Sequence, residues 1–255
     1  MGSYAAEWAP PSPGSTVAFV TIVLAVLMAI VAAAAVATWR AAPQRASRAA
    51  GLTAAALALW VAVTGAYVAS GAIGLGIPAF MLFFVGSNLA AVVLASSPFG
   101  TRLAYHLPLV ALVGFQVFRL PLELVLHAWK ETGTMPVQMT YEGHNFDIVT
   151  GIAAAALIGW ALVRRTDIPR GAAFLFNAVG SALLLAVIAI VVLSSPLPVK
   201  SYPGAPILLA FHLPYAWIAP VCVAGALFGH LVLWRRLLWP GPDRREARAS
   251  APASA

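Results

Sequence analysis

Apolar runs of about twenty residues recur along the whole chain, beginning with STVAFVTIVLAVLMAIVAAAAVATW at residues 15–39. A helix rising about 1.5 Å per residue needs about 20 such residues to cross the roughly 30 Å hydrocarbon core of a bilayer. In lipid every backbone N–H and C=O must be satisfied inside the segment, which leaves helices as the solution for runs of this length. The composition agrees, because 62% hydrophobic and 9% charged residues lie outside the soluble globular range. The mean hydropathy of +0.90 points the same way.

Seven segments qualify as spans: 16–39, 50–72, 77–96, 107–128, 147–164, 172–195 and 206–235. The expected fold is therefore all-α, a polytopic seven-transmembrane-helix bundle. An odd number of spans puts the termini on opposite sides. With the N-terminus outside, RAAPQRASR, SSPFGTR, RRTDIPR and WRRLLWPGPDRREAR fall in the cytoplasm and carry twelve of the fifteen basic residues. That bias orients the chain, with the C-terminus cytoplasmic, as a multi-pass protein of a cell membrane such as a bacterial inner membrane. Trp8 and Trp129 fit anchors at the outer interface, and Trp39, Trp234 and Trp239 fit the inner one.

The expected organisation is a tail over 1–15, a membrane domain over 16–239 and a Pro-, Ala- and Ser-rich cytoplasmic tail over 240–255. The first run is too long for a signal-peptide core and has no basic residue before it, so it reads as a retained span. The net charge of +7 comes from arginines in connectors. The expected partner is thus the lipid bilayer, with no role for nucleic acid. The only cysteine, Cys222, sits in an apolar run and reads as a buried thiol.

Against this background FRLPLELVLHAWK, residues 118–130, is anomalous: Arg119, Glu123 and His127 follow at steps of four, with Gln116 a turn earlier. Such residues share one helix face. An arginine at a helix centre costs at least about 2.5–3.5 kcal/mol against lipid, so the stripe is expected to face a pocket inside the bundle. Pro121 falls within it and predicts a kink or a freed carbonyl. Helical rise from the outer end of the last span puts His212 near the level of Glu123. Pro214 and Pro220 interrupt that helix, and Gly225 and Gly229 allow close packing. The expected substrate or ion pocket comprises Arg119, Glu123, His127, His212 and Gln116, with Asn88, Asn177 and Tyr215 as further polar candidates. Asp147 opens the fifth span and reads first as a helix N-cap.

The leading expectation is a pocket open to the outside that binds or conducts a small solute, ion or proton. Glu123 would titrate, Arg119 would supply fixed counter-charge, and His127 and His212 would act as relay. An alternative is a metal at the outer mouth on His127, Glu123, His212 and Asp147, with His144, Met135 and Met139 nearby. Neither HExxH nor CxxC occurs. Haem is a further alternative, with the histidines paired as His127–His212 and His106–His230. A structural or assembly subunit without transport of its own completes the set. Retinal attachment lacks its lysine, because Lys130 and Lys200 lie in connectors, and no GxSxG or phosphate-cradling glycine loop occurs. No catalytic residue is assigned. The connector KETGTMPVQMTYEGHNFD, residues 130–147, reads as a short hairpin or a lid over the bundle.

Overall fold

The computed structural model describes residues 8–195, 201–202, 206–239 and 241. Residues 1–7 of the first tail, Lys200, and the expected cytoplasmic tail apart from Gly241 lie outside the described residues. The architecture is all-helical, with no strand among the described residues.

Helix α1, Pro13–Ala41, opens with proline at its first position and a Ser12 cap whose hydroxyl accepts from the Ser15 N–H. Helix α2, Ala46–Ala69, follows a 3-10 turn over Pro43–Arg45 and gives way to Gly71 at φ 74°. Helix α3, Ile77–Ser96, is followed at once by α4, Pro98–His106, in the connector between the third and fourth expected spans. The Ser97 hydroxyl and the proline at the next position start this extra helix by the same capping chemistry.

Prolines shape the next rods. Pro121 has no N–H to offer the Val117 carbonyl, and the chain upstream tightens into a 3-10 turn at Phe115–Phe118. That turn joins α5, Leu109–Gly114, to α6, Arg119–Glu131. Helix α7 covers Ile148–Arg164 and α8 covers Arg170–Ser194. Around Pro220 a π-helical segment, Ala219–Val223, interrupts the rod that starts at Tyr215 and ends as α9, Ala224–Leu238. Trp60 of α2 donates its indole N–H to the Pro220 carbonyl at 3.0 Å, so the irregular backbone is satisfied from a neighbouring helix.

Six of these rods are long and apolar enough to cross a membrane: Pro13–Ala41, Pro43–Ala69, Ile77–Ser96, Leu109–Glu131, Arg170–Ser194 and Tyr215–Leu238. The fifth expected segment is α7, a shorter apolar helix. Large apolar side chains such as Val17, Leu24, Leu59, Leu82, Leu162 and Leu175 point outward, as contact with lipid demands. The last rod is the hub, 72% buried in its apolar window against 17% for the rod containing α2.

Two expectations need correction. The final rod begins at Tyr215 instead of 206, because the residue before a proline is driven out of the helical region and Pro214 stands at the boundary. Residues 206–214 form an irregular approach with one 3-10 turn, Leu209–Phe211. The connector is not a hairpin. It curls through a 3-10 turn at Val137–Met139, and a Cβ on Gly143 would sit 2.3 Å from the Val137 carbonyl oxygen.

Hydrogen bonds identify which ends of the helices meet. Arg40 donates to the His106 carbonyl at 3.1 Å, Arg235 donates to the Ala95 and Ser96 carbonyls, and Arg170 donates to the Leu237 carbonyl. Asp167 accepts from the Leu109 and Val110 N–H groups at 2.9 and 2.7 Å, capping α5 where the helix dipole favours a carboxylate. These contacts form the arginine-rich end. At the connector end Trp129 donates to Ser15 at 3.0 Å, and Thr16 bonds the Tyr215 hydroxyl at 2.9 Å.

Helices α6 and α7 cross backbone to backbone at Gly151, where an added Cβ would lie 2.4 Å from the Leu120 nitrogen. Gly151→Ala is expected to lower stability by about 1–3 kcal/mol through overpacking. Gly159→Ala on the same helix, with nothing within 4 Å, is the matched control. Thermal unfolding of the two variants in detergent checks the difference.

Candidate functional site

The crossing at Gly151 brings the start of α6 beside the start of α7, and with it Arg119 beside Asp147. Arg119 is 1% exposed and Asp147 6%. The guanidinium forks onto the carboxylate through Nε and Nη2, the bidentate geometry that suits this pair. Its remaining Nη1 faces Nε2 of His230 on α9 at 2.8 Å. A guanidinium can only donate, so Nε2 is the acceptor and the ring proton sits on Nδ1. Nδ1 then donates to the Asn177 Oδ1 at 2.7 Å, and the Asn177 amide donates back to the His230 carbonyl at 3.1 Å. One tautomer satisfies every contact.

Room for this ring comes from Gly180 on α8, where a Cβ would approach His230 Cε1 to 2.6 Å. Gly229 opposite allows Gln116 to reach the Ala226 carbonyl at 3.0 Å. Gly225, its partner in the small-residue pair, lies beside Val26.

On the connector side of Arg119 the network continues. The Asp147 N–H donates to the Asn145 Oδ1 at 3.1 Å, and the Asn145 amide donates to both Glu123 oxygens at 2.9 and 3.0 Å and to the Met139 carbonyl at 3.0 Å. Asn145 is fully buried and Glu123 nearly so. A continuous hydrogen-bonded chain thus runs Glu123, Asn145, Asp147, Arg119, His230, Asn177, with the Asn145–Asp147 link made through the Asp147 backbone N–H.

Glu123, Arg119 and Asp147 also border an internal chamber of about 60 Å³. Its other walls are apolar and soft, among them Phe84, Leu184, Met135, Met139 and Cys222. It has room for a few waters beside the polar groups.

The expected pocket residues divide accordingly. Arg119, Glu123, Gln116 and Asn177 are buried in or beside the network. His127 is half-buried at the connector end, stacked on Tyr141 at 4.8 Å and 3.5 Å from Glu142. His212 stacks on Trp8 at 4.0 Å, where partial burial holds its pKa below the ordinary histidine value. Asn88 donates to the Phe84 carbonyl of its own helix at 2.8 Å, and Tyr215 bonds Thr16.

The candidate metal set does not converge: Glu123 and Asp147 border the chamber, while His127 and His212 have the separate surroundings just given. The anticipated haem pairs fare similarly, since both ring nitrogens of His230 are engaged by Arg119 and Asn177.

Three participants were not assigned these roles from sequence. Asp147 holds the N-cap position of α7, but its side chain makes no capping bond and serves Arg119. The signal for it was an acid two residues after Asn145 at the mouth of an apolar run. His230 entered only as a haem candidate, and Asn145 carried no signal beyond its place in a polar connector. Comparison of the chain with known protein families, with curated proteins and with solved structures finds no match.

Replacing Asp147 by Asn leaves a buried guanidinium without its counter-charge, and the expected cost is about 3–5 kcal/mol. The double variant Arg119→Gln/Asp147→Asn is expected to recover much of that loss, because neither residue then carries a charge. Unfolding midpoints of the wild type, both single variants and the double variant give the coupling directly.

Proposed function

We propose that this chain is a seven-span protein of the plasma membrane, N-terminus outside, that binds a proton or small ion at Glu123 and passes it across the bilayer. Support for the seventh crossing is α7 itself: its 17 residues rise about 26 Å, at the lower limit for a span, and it packs beside α6 and α8 from the connector end to the arginine-rich end. The arginine-rich end is taken as cytoplasmic by the positive-inside rule, which turns the connector outward.

The observation that carries the functional reading is the unequal treatment of two neighbouring carboxylates. Asp147 has the fork of Arg119, whereas Glu123 has one amide group shared between its oxygens and no ion-pair partner among the described residues. An acid placed this way at the wall of a small internal chamber is the natural seat for an exchangeable proton or cation. Chamber size suits the same class, because about 60 Å³ leaves room for a few waters or a small ion.

Arg119 supplies the coupling. It interacts electrostatically with both carboxylates and can neutralise one through its fork. When Glu123 is occupied, Arg119 stays with Asp147. When Glu123 is vacated as an anion, it competes for the guanidinium, and the bond that ties the connector to α6 is loosened. Asn145 donates to the Glu123 carboxylate and accepts from the Asp147 backbone N–H, so a shift of Glu123 is felt at the start of α7. His230 and Asn177 hold the far side of the guanidinium.

Glu123→Gln preserves shape and the capacity to bond Asn145 but removes the titrating group. In proteoliposomes under a pH gradient, the wild type is expected to carry a flux that this variant lowers at least tenfold, with size-exclusion profile and melting temperature retained. Equal flux in the two proteins removes Glu123 from the mechanism.

A further inference from the structure

Away from the chamber, at the connector end, a second cluster has the composition of a metal site. His127 and Glu131 lie one turn apart on α6 and so share a face. Glu142 reaches them from the connector. One donor atom from each of the three lies within 4.8 Å of the other two. None of the three borders the chamber.

The cluster already calls for positive charge. Lys130 places its ammonium 2.5 Å from Glu131 Oε1 and 2.6 Å from Glu142 Oε2, between the two carboxylates. The imidazole of His127 is held by its stack on Tyr141, next to Glu142 in sequence. Its Nδ1 is shut off from solvent, makes no hydrogen bond, and faces Glu142 Oε1 at 3.5 Å. With the ring proton on Nε2, that nitrogen directs a lone pair at a carboxylate oxygen, an arrangement that a cation between them would turn from repulsive to attractive.

We propose that His127, Glu131 and Glu142 form a binding site for a zinc-class divalent cation that pins the connector to α6. One nitrogen and two carboxylate oxygens, with water as the fourth ligand, match the open tetrahedral sets that zinc adopts. Bond lengths near 2.0–2.2 Å in a tetrahedron put donors about 3.4 Å apart. Rotation of the glutamate side chains, both exposed, closes the difference. Lys130 is the competitor: its long stem lets the ammonium swing to water when the metal enters. The segment so pinned is the one that delivers Met139, Asn145 and Asp147 to the interior, so the metal would set how freely that segment moves.

The test is zinc titration calorimetry on the tag-free, full-length protein in detergent, and it does not depend on transport. The expected result is one equivalent of zinc, with affinity lowered at least tenfold by His127→Ala and by Glu142→Gln. Lys130→Ala is expected to raise the affinity several-fold, a gain that no folding defect imitates. Zinc is also expected to slow proteolytic cleavage within residues 132–144. The absence of zinc binding in both the wild type and Lys130→Ala, or binding that is indifferent to His127→Ala and Glu142→Gln, overturns the proposal.

Discussion

A guanidinium buried in the middle of an apolar bundle sets the terms for everything around it. Arg119 cannot shed its proton, and its five donors must all find acceptors where water is scarce. Asp147 takes two of the contacts and the neutral face of His230 takes another. Each partner then needs its own support, from Asn145 on one side and Asn177 on the other. The polar core is therefore a sequence of obligations that starts from one residue. Small residues on α7, α8 and α9 exist where those obligations bring backbone or ring into close approach.

Two devices keep the irregular backbone affordable in a low-dielectric interior. The break before α6 and the π-segment before α9 are both caused by proline, and both lie beside the polar network. Trp60 of α2 bonds the Pro220 carbonyl within the π-segment, and Gln116 bonds the Ala226 carbonyl of α9 next to it. The connector likewise behaves as part of the interior: Met135, Gln138, Met139, Thr140 and Asn145 are all buried. Its outer face carries the exposed Glu142, which lies against His127 of α6.

Six long apolar rods, the concentration of arginines between them and the burial of Arg119 and Glu123 were legible in the sequence, because length, hydropathy and the cost of an ion in lipid are local properties. The choice of partner was not. A ladder of Arg119, Glu123 and His127 suggests pairing within one helix, whereas the crossing of Gly151 over Leu120 gives Arg119 to Asp147. The depth assigned to His212 assumed an unbroken helix from residue 206. Pro214 delays the helix to Tyr215, and His212 falls against Trp8 instead. His230 lies about 12 Å from the end of its helix by rise, and only the packing of α8 on α9 makes it the neighbour of Arg119.

The order of these partners along the chain has a consequence for biogenesis. Under the proposed seven-span topology Arg119 and Asp147 belong to consecutive spans joined by the connector, so the two charges can enter the translocon's lateral opening as a pre-neutralised hairpin. Asn177 and His230 emerge from the ribosome later and close around a charge that is already balanced. Had the counter-ion stood on α9 instead of α7, the cation would have waited in lipid for a carboxylate not yet translated.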